Sequence, residues 1–265
     1  MGFLIVLIIV FIVYAFIENK ILLTVRYEKF GSGVRIAQIS DIHKRRFGNG
    51  NSELCERVRK ESPDMIFVTG DIISRYVTDI SAAADTLKGL SSIAPVYMIY
   101  GNHEQDLRDD VRAELVEAAR KCGVTVMCND CAKVDIKGRS FSIYGIKESH
   151  DVYNINGGYR GLKTLEKSDI TSYVGECPDG EVLLLAHNPF FGEAYSQWGA
   201  DYTFSGHVHG GIVRIFGIGL LSPERKLFPK NSKGVYDYGG KKLLVSAGLG
   251  KFRLFNPSEI VIYDI

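Results

Sequence analysis

From residue 34 onward the chain alternates short apolar runs with amphipathic stretches. Residues 34–39 alternate apolar and polar with period two and predict a strand, while the wholly apolar run 65–68 predicts a buried one. Runs at 95–100 and 181–186 predict two more. Between them, 51–61, 79–90 and 108–122 carry helical spacing, with Asn51 or Ser52 as N-cap of the first and Gly123 closing the last. Further strands are predicted near 124–127, 132–136 and 140–146, and a helix within 162–174. The tail, 212–265, reads as turns and short strands, including 235–238, 242–247 and 259–263. This order predicts an α/β layer fold with a second sheet packed on the first. No repeat or low-complexity linker interrupts 31–265, which predicts a single domain.

The amino end breaks the pattern. Residues 2–17 carry no charge. A spanning helix needs about 20 apolar residues, which this run reaches by borrowing Ile21, Leu22 and Leu23 while Glu18 and Lys20 snorkel. It has neither the basic start nor the small-residue cleavage site of a secretory signal. Residues 1–30 are therefore expected to form a membrane anchor and juxtamembrane segment in contact with lipid. Lys20, Arg26, Lys29 and Lys44-Arg45-Arg46 follow the run, so the positive-inside tendency places the domain on the cytoplasmic face.

Composition adds limits. The chain has 265 residues, 46% hydrophobic and 24% charged, with formal net charge +1. That length buries a large core without disulfide staples, and the near-neutral charge disfavours nucleic acid as a partner. Five cysteines at irregular spacing make a poor disulfide framework. Cys128 and Cys131 form a Cys-x-x-Cys, but no second pair completes a zinc ribbon.

The chemistry lies in the histidines. Five of the six, His43, His103, His187, His207 and His209, fall at predicted strand ends beside Asp41, Asp71 and Asn102. Ligand sites of open α/β sheets collect there. His207 and His209 share parity on an extended segment, so both rings can converge on one object between flanking glycines. Imidazole with carboxylate selects manganese, iron or zinc over magnesium or calcium, and the donors suffice for two ions.

The order Asp41-x-His43, Gly70-Asp71, Gly101-Asn102-His103-Glu104, His187 and Gly206-His207-x-His209 resembles the calcineurin-like metallophosphoesterase family over residues 34–265. Segments Gly217-Ile218-Gly219-Leu220, Phe228-Pro229-Lys230 and Ser246-Ala247-Gly248-Leu249-Gly250 further resemble its membrane-anchored bacterial branch, which includes UDP-2,3-diacylglucosamine pyrophosphatase-like enzymes. The resemblance implies a four-layer sandwich of two mixed β-sheets flanked by helices. It implies one divalent ion held by Asp41, His43, Asp71 and His209 and a second by Asp71, Asn102, His187 and His207. Asn102 and His103 would then serve catalysis, with His103 facing the phosphoryl group. Such a pair activates a water and clamps phosphoryl oxygens.

Three positions depart from the family pattern. Ser74 stands where related phosphatases carry the second Asp of Gly-Asp-x-x-Asp, so a carboxylate that would charge His103 is missing and Ser74 is left to hold the ring. A weak general acid predicts leaving groups that need little protonation, such as a phosphoanhydride. Ile212 replaces a frequent Gln, and Glu104 a frequent Asp. Lys44, Arg45, Arg46 and Arg75 follow metal motifs and are candidate contacts for a second phosphate or anionic headgroup.

The expected function is a membrane-anchored, metal-dependent hydrolase of phosphodiesters or phosphoanhydrides, with a phosphorylated, lipid-linked or UDP-sugar-lipid substrate. A phosphomonoesterase and a non-catalytic membrane scaffold that retains the metal-binding fold are the alternatives.

Overall fold

The computed structural model describes residues 2–155, 157–222 and 225–265; Met1, Asn156, Pro223 and Glu224 lie outside it. An apolar helix α1 (Gly2–Lys20) leads into β1 (Leu23–Lys29), β2 (Arg35–Ile39), α2 (Ser52–Glu61), β3 (Met65–Val68), α3 (Ser81–Ser91) and β4 (Val96–Met98). Then come α4 (Asn102–Gln105), α5 (Asp109–Lys121), β5 (Thr125–Val126), β6 (Asp130–Ile136), β7 (Arg139–Gly145), α6 (Lys167–Val174), β8 (Glu181–Leu185) and α7 (Gly192–Trp198). The remainder is β9 (Tyr202–Ser205), β10 (Arg214–Ile215), β11 (Ile218–Gly219), β12 (Gly234–Tyr238), β13 (Lys241–Val245) and β14 (Ser258–Asp264).

Two six-stranded mixed sheets result, in the orders β1-β14-β2-β3-β4-β5 and β12-β13-β9-β8-β7-β6. Strands β2 to β5 run parallel, as do β7, β8, β9 and β13. The alternation read in the sequence sorts the layers. Ile36, Met65 and Phe67 point between the sheets, against Ile143, Leu183 and Phe204. Ala37, Ile39, Ile66 and Val68 face α2, α3 and α5 through Leu54, Val58, Leu87 and Leu115. On the far side, Val182, Leu184 and Leu243 pack on Tyr195 and Trp198 of α7. The sandwich is thus helix, sheet, sheet, helix, as expected. Rings of Phe67 and Phe204 meet edge-on at 4.8 Å, and Phe204 meets Tyr263 at 5.2 Å, which locks the sheets face to face. The buried Gln38 adds a polar tie, donating to the Ser205 carbonyl and accepting from the Tyr263 hydroxyl.

Several expectations shift. Residues 1–30 do not form one segment apart from the domain, because β1 is an edge strand paired in parallel with β14 from Leu23 to Lys29. Its Thr24, Arg26 and Glu28 alternate with apolar residues, but proximity to the apolar run hid that period. Leu23 belongs to the core and does not extend α1. Glu18 does not snorkel; it is fully buried, and its carboxylate accepts the backbone N–H groups of Phe255 and Asn256. Asn51 sits at the N-cap position of α2 without capping it; its side chain ties the Phe47 N–H to the Thr86 hydroxyl. Helix α7 had no expected counterpart, since it opens with Gly192 directly after Pro189-Phe190-Phe191.

One buried ionic cluster fastens the edge. Glu259 on β14 faces Arg26 on β1 at 3.2 Å and Lys233 at 2.6 Å, and accepts the Ala247 N–H at 2.9 Å. Burial pushes the Glu259 carboxyl up, but Arg26 and Lys233 together hold it below its ordinary value. Replacing Glu259 by Leu should cost about 3 kcal/mol, the low end for breaking a buried pair because both cations are partly exposed. A denaturant midpoint measures this. The lowered folded-state pKa means that the stabilisation is complete above the unfolded value, about 4.3. It is lost as acid titrates through the lowered value, so wild type and variant should converge in stability at low pH.

Candidate metal centre

Five strands, β2, β3, β4, β8 and β9, deliver polar residues to one edge of the two sheets. Asp41 and His43 follow β2, Asp71 follows β3, Asn102 and His103 open α4 after β4, His187 follows β8, and His207 and His209 follow β9. Packing of the sheets therefore brings together residues up to 168 positions apart, the separation of Asp41 and His209.

Asp71 is the centre of the set. Its Oδ2 lies 3.4 Å from His187 Nε2 and 3.9 Å from both His43 Nε2 and His103 Nε2. Asp41 Oδ1 is 4.0 Å from the Nε2 atoms of His187 and His209, and the Nε2 atoms of His43 and His209 approach to 3.4 Å. Three donor groups result: Asp41, His43 and His209; His43, Asp71 and His103; Asp71, His187 and His207, with the donor atoms of each within 4.8 Å of one another.

The donors are preset for a cation. His187 Nδ1 donates to the Thr69 carbonyl at 2.6 Å, which directs Nε2 into the site, where it is buried and makes no hydrogen bond. Asn102 Oδ1 is likewise buried without a partner. Orphaned atoms of this kind cost about 1–3 kcal/mol each. A divalent ion satisfies both, so the residues present fit a metal.

The backbone around them is constrained. Asp41, His43, Asp71, His207 and His209 all have φ between 52° and 68°. Side-chain-bearing residues reach this left-handed region at a cost of about 1–3 kcal/mol each, and such strain clusters at functional sites. Two glycines permit the close approach. A Cβ on Gly101 would stand 2.2 Å from Asp71 Oδ1, and one on Gly206 would stand 2.5 Å from Asp41 Oδ2.

Charge is equally organised. Burial opposes ionisation of Asp71, but His187 and His103 hold its carboxyl well below the usual range. Burial lowers His187, and Asp71 with Asp41 and Glu148 more than reverses it, to about 10. His43 and His209 are lowered, chiefly by burial. Burial and then Asp71 push Glu104 up to about 7, although it accepts the backbone N–H groups of Asp71, Gly101 and Ile73. Glu104 thereby clamps the β3 and β4 loops together.

His103 faces the opening, its ring 4.4 Å from that of His43. The hydroxyl of Ser74 was the expected partner of its ring, but the contact comes from Arg75. The Arg75 backbone N–H donates to His103 Nδ1 at 2.9 Å, and its guanidinium lies 3.0 Å from Nε2 while pairing with Asp106 at 3.1 Å. Burial lowers the His103 pKa to about 3; Asp71 opposes the shift, and His43 and Arg75 add to it.

Of the candidate phosphate contacts, Lys44 and Arg46 are exposed and Arg75 is half-buried at the site. Arg45 is only 1% exposed, and its guanidinium stacks 4.7 Å over the Phe47 ring.

Other residues went unread in the sequence. Tyr153 packs 5.0 Å from the His207 ring and donates to Glu148, which also accepts the Asn188 N–H next to His187. Glu148 lies three residues beyond β7, the same signal that marked the histidines. Arg253, buried 3.5 Å from His209 Nδ1, and Asn256, which donates to the His209 carbonyl, sit in the tail without a motif. His150, the one histidine away from the predicted strand ends, pairs with Asp106 at 2.8 Å and lines a small cavity with Asn102, Arg75 and Tyr159.

Gly101→Ala should displace Asp71 and weaken metal retention about 10–100-fold, the range for losing an orienting contact. Asp71→Asn should lose metal to a greater extent. Elemental analysis after dialysis reads both, with circular dichroism to establish that the fold is kept.

Comparison with known proteins agrees with this geometry. The calcineurin-like phosphoesterase profile matches residues 34–211. An uncharacterized metallophosphoesterase of Campylobacter jejuni is 28% identical over 270 residues, covering 97% of this chain and 67% of the relative. Phosphodiesterase YaeI of Escherichia coli is 24% identical over 246 residues, covering 87% and 82%. A solved structure from Thermus thermophilus superposes with a TM-score of 0.52 at 11% identity over 82% of this chain and 91% of its own, a likeness of fold. With its donor set in place, this chain belongs to the calcineurin-like phosphoesterase family and is a metal-dependent phosphoester hydrolase.

Proposed function

We propose that the chain is a membrane-anchored hydrolase of phosphodiesters or phosphoanhydrides that uses a dinuclear centre and acts on a lipid-linked substrate of the UDP-sugar-lipid kind. The observation that carries the reading is the place of Asp71, whose carboxylate sits between two donor sets. Asp41, His43, Asp71 and His209 would hold one ion, and Asp71, Asn102, His187 and His207 the other. The nitrogen and oxygen donors suit manganese, iron or zinc. When bound, the ions supply Lewis acidity and an activated water.

The chain's own residues supply the rest. His103 Nδ1 accepts the Arg75 N–H, which leaves Nε2, beside the Arg75 guanidinium, as the ring atom that would face a phosphoryl or leaving oxygen. Among the described residues, no carboxylate touches Nδ1 to recharge the ring. This favours leaving groups that depart as stable anions, as in an anhydride or an activated ester. Arg75, Lys44 and Arg46 supply positive charge for a second phosphate. The name of the Escherichia coli relative, a phosphodiesterase, supports the diester reading.

Helix α1 supports the anchor. Its 19 residues have a mean hydropathy of 2.5, long and apolar enough to cross a bilayer. At about 1.5 Å per residue it spans roughly 28 Å. With Lys20 at its carboxyl end and Lys44 and Arg46 beyond, the domain is assigned to the cytoplasmic side.

Turnover measurements test this. Chelation should abolish turnover of bis(4-nitrophenyl) phosphate and manganese should restore it. Diester and pyrophosphate turnover should exceed that of 4-nitrophenyl phosphate, and a preference for the monoester would overturn the reading. Ser74→Asp should raise turnover on alkyl monoesters with metal content unchanged; no rise removes the account of His103. Lys44→Ala with Arg46→Ala should raise KM for a pyrophosphate-linked substrate about two- to tenfold, as two exposed charges allow, and leave that for a small aryl ester unchanged.

A further inference from the structure

Beyond α1, the domain carries a group of phenylalanines that the fold does not use. Phe216 is 101% exposed, Phe252 86% and Phe228 65%, and Phe255 is also exposed. All four have φ between 47° and 63°. Glycine, asparagine and aspartate ordinarily fill such left-handed turn positions, and a bulky aromatic there is strained. In water Phe216, Phe252 and Phe228 take on that strain while largely exposed.

The segments that carry them are hydrogen-bonded to one another, and one of them reaches α1. Leu254 pairs with Val213, and the backbone N–H of Arg214 donates to the Leu254 carbonyl at 3.0 Å. That bond joins the loop 250–256 to the β10–β11 hairpin. The hairpin is joined in turn to the 227–228 segment through Phe228 N–H to Leu220 O at 3.0 Å. At the other end, Phe255 stacks on Tyr14 at 5.4 Å and lies 6.4 Å from Phe11. Tyr14 is six residues before the end of α1, so the Phe255 ring reaches about 9 Å along the helix from Lys20. The junction is fixed: Glu18 accepts the Phe255 and Asn256 N–H groups, and Asn19 exchanges two hydrogen bonds with the Arg253 backbone at 2.7 and 2.8 Å.

We infer that the loop 250–256 and the β10–β11 hairpin with Leu227 and Phe228 form a seat immersed in the bilayer interface, which holds the catalytic domain with its metal centre against the membrane surface. The inference rests on the reading of α1 as a membrane helix. A ring packed about 9 Å down such a helix lies below the headgroups, within the depth of interfacial insertion. Basic residues border the seat, with Lys251, Lys20 and Arg46 at the α1 end and Arg225 and Lys226 at the other. An aromatic face rimmed by cations fits anionic lipid. The seat is also wired to the site. Arg253 stands between Asn19 and His209, and Asn256 donates to the His209 carbonyl. The substrate class that follows is an amphiphile whose phosphoester lies at headgroup level and whose acyl chains stay in the bilayer.

Depth-dependent fluorescence tests this in the full chain. Trp198 is the sole tryptophan and is buried, so Phe216→Trp and Phe252→Trp each add one reporter in its aromatic place. The proteins are reconstituted into phosphatidylcholine and phosphatidylglycerol vesicles with brominated acyl chains. The expected result is a blue-shifted emission, quenched most by bromine near the headgroup. Water-like emission without quenching in vesicles that carry the protein overturns the seat but leaves the anchor standing. A blue shift without quenching points to contact with a second copy and also overturns it. Failure of the protein to float with the vesicles overturns both. A Phe216→Ser, Phe252→Ser double variant should lose roughly tenfold in kcat/KM on a vesicle-borne phosphodiester, about one aromatic side chain's transfer into the interface. It should keep wild-type turnover of bis(4-nitrophenyl) phosphate. Equal loss on both substrates refutes the seat.

Discussion

The carboxylate of Asp71 is buried within 4 Å of three imidazoles that come from both sheets. A charge taken out of water in this way persists only among opposite charge or metal. Asp71 therefore sets the terms for its surroundings. His187 must reach it from the second sheet, which requires the sheets to pack at the distance that Phe67 and Phe204 fix. Glu104 must grip the Asp71 backbone from the neighbouring loop, so that the carboxylate is aimed before any ligand arrives. A hydrophobic interlock between layers and a polar cluster at their common edge are two consequences of one geometry.

The cost of that geometry is visible in the chain. Five metal-site residues adopt left-handed backbone conformations, and the glycines beside them leave no room for a side chain. Stability forgone here is recovered in the three apolar layers, where the strands are almost wholly buried. Strain of this sort also preorganises the site. The donors sit where a cation needs them without rearrangement, as the unsatisfied His187 Nε2 and Asn102 Oδ1 indicate.

The tail has two tasks that the rest of the family core does not explain. Its Glu259 cluster ties β14 to β1 and holds Ala247, next to the Gly248 backbone that abuts Asp41. Its loop 250–256 receives the end of α1 through Glu18 and Asn19 and carries Arg253 back to His209. Helix, tail and metal centre are thus joined along one path of hydrogen bonds.

Much of this was legible before folding. Period-two alternation at 34–39 and apolar runs at 65–68 and 181–186 disclosed the strands, and histidines just past their ends disclosed the polar edge, because strand direction and side-chain parity are local properties of sequence. What the chain wrote locally, such as the order of elements, the donor residues and the long apolar helix, lay open in the sequence. Partnerships between distant residues did not. Arg75 in place of Ser74 on the His103 ring, Arg45 turned inward over Phe47, Glu18 buried as a receptor for the tail, and β1 added to the sheet edge all depend on which surfaces meet. Burial and hydrogen-bond satisfaction are set by neighbours in space, and a residue's own type says only what it can offer them.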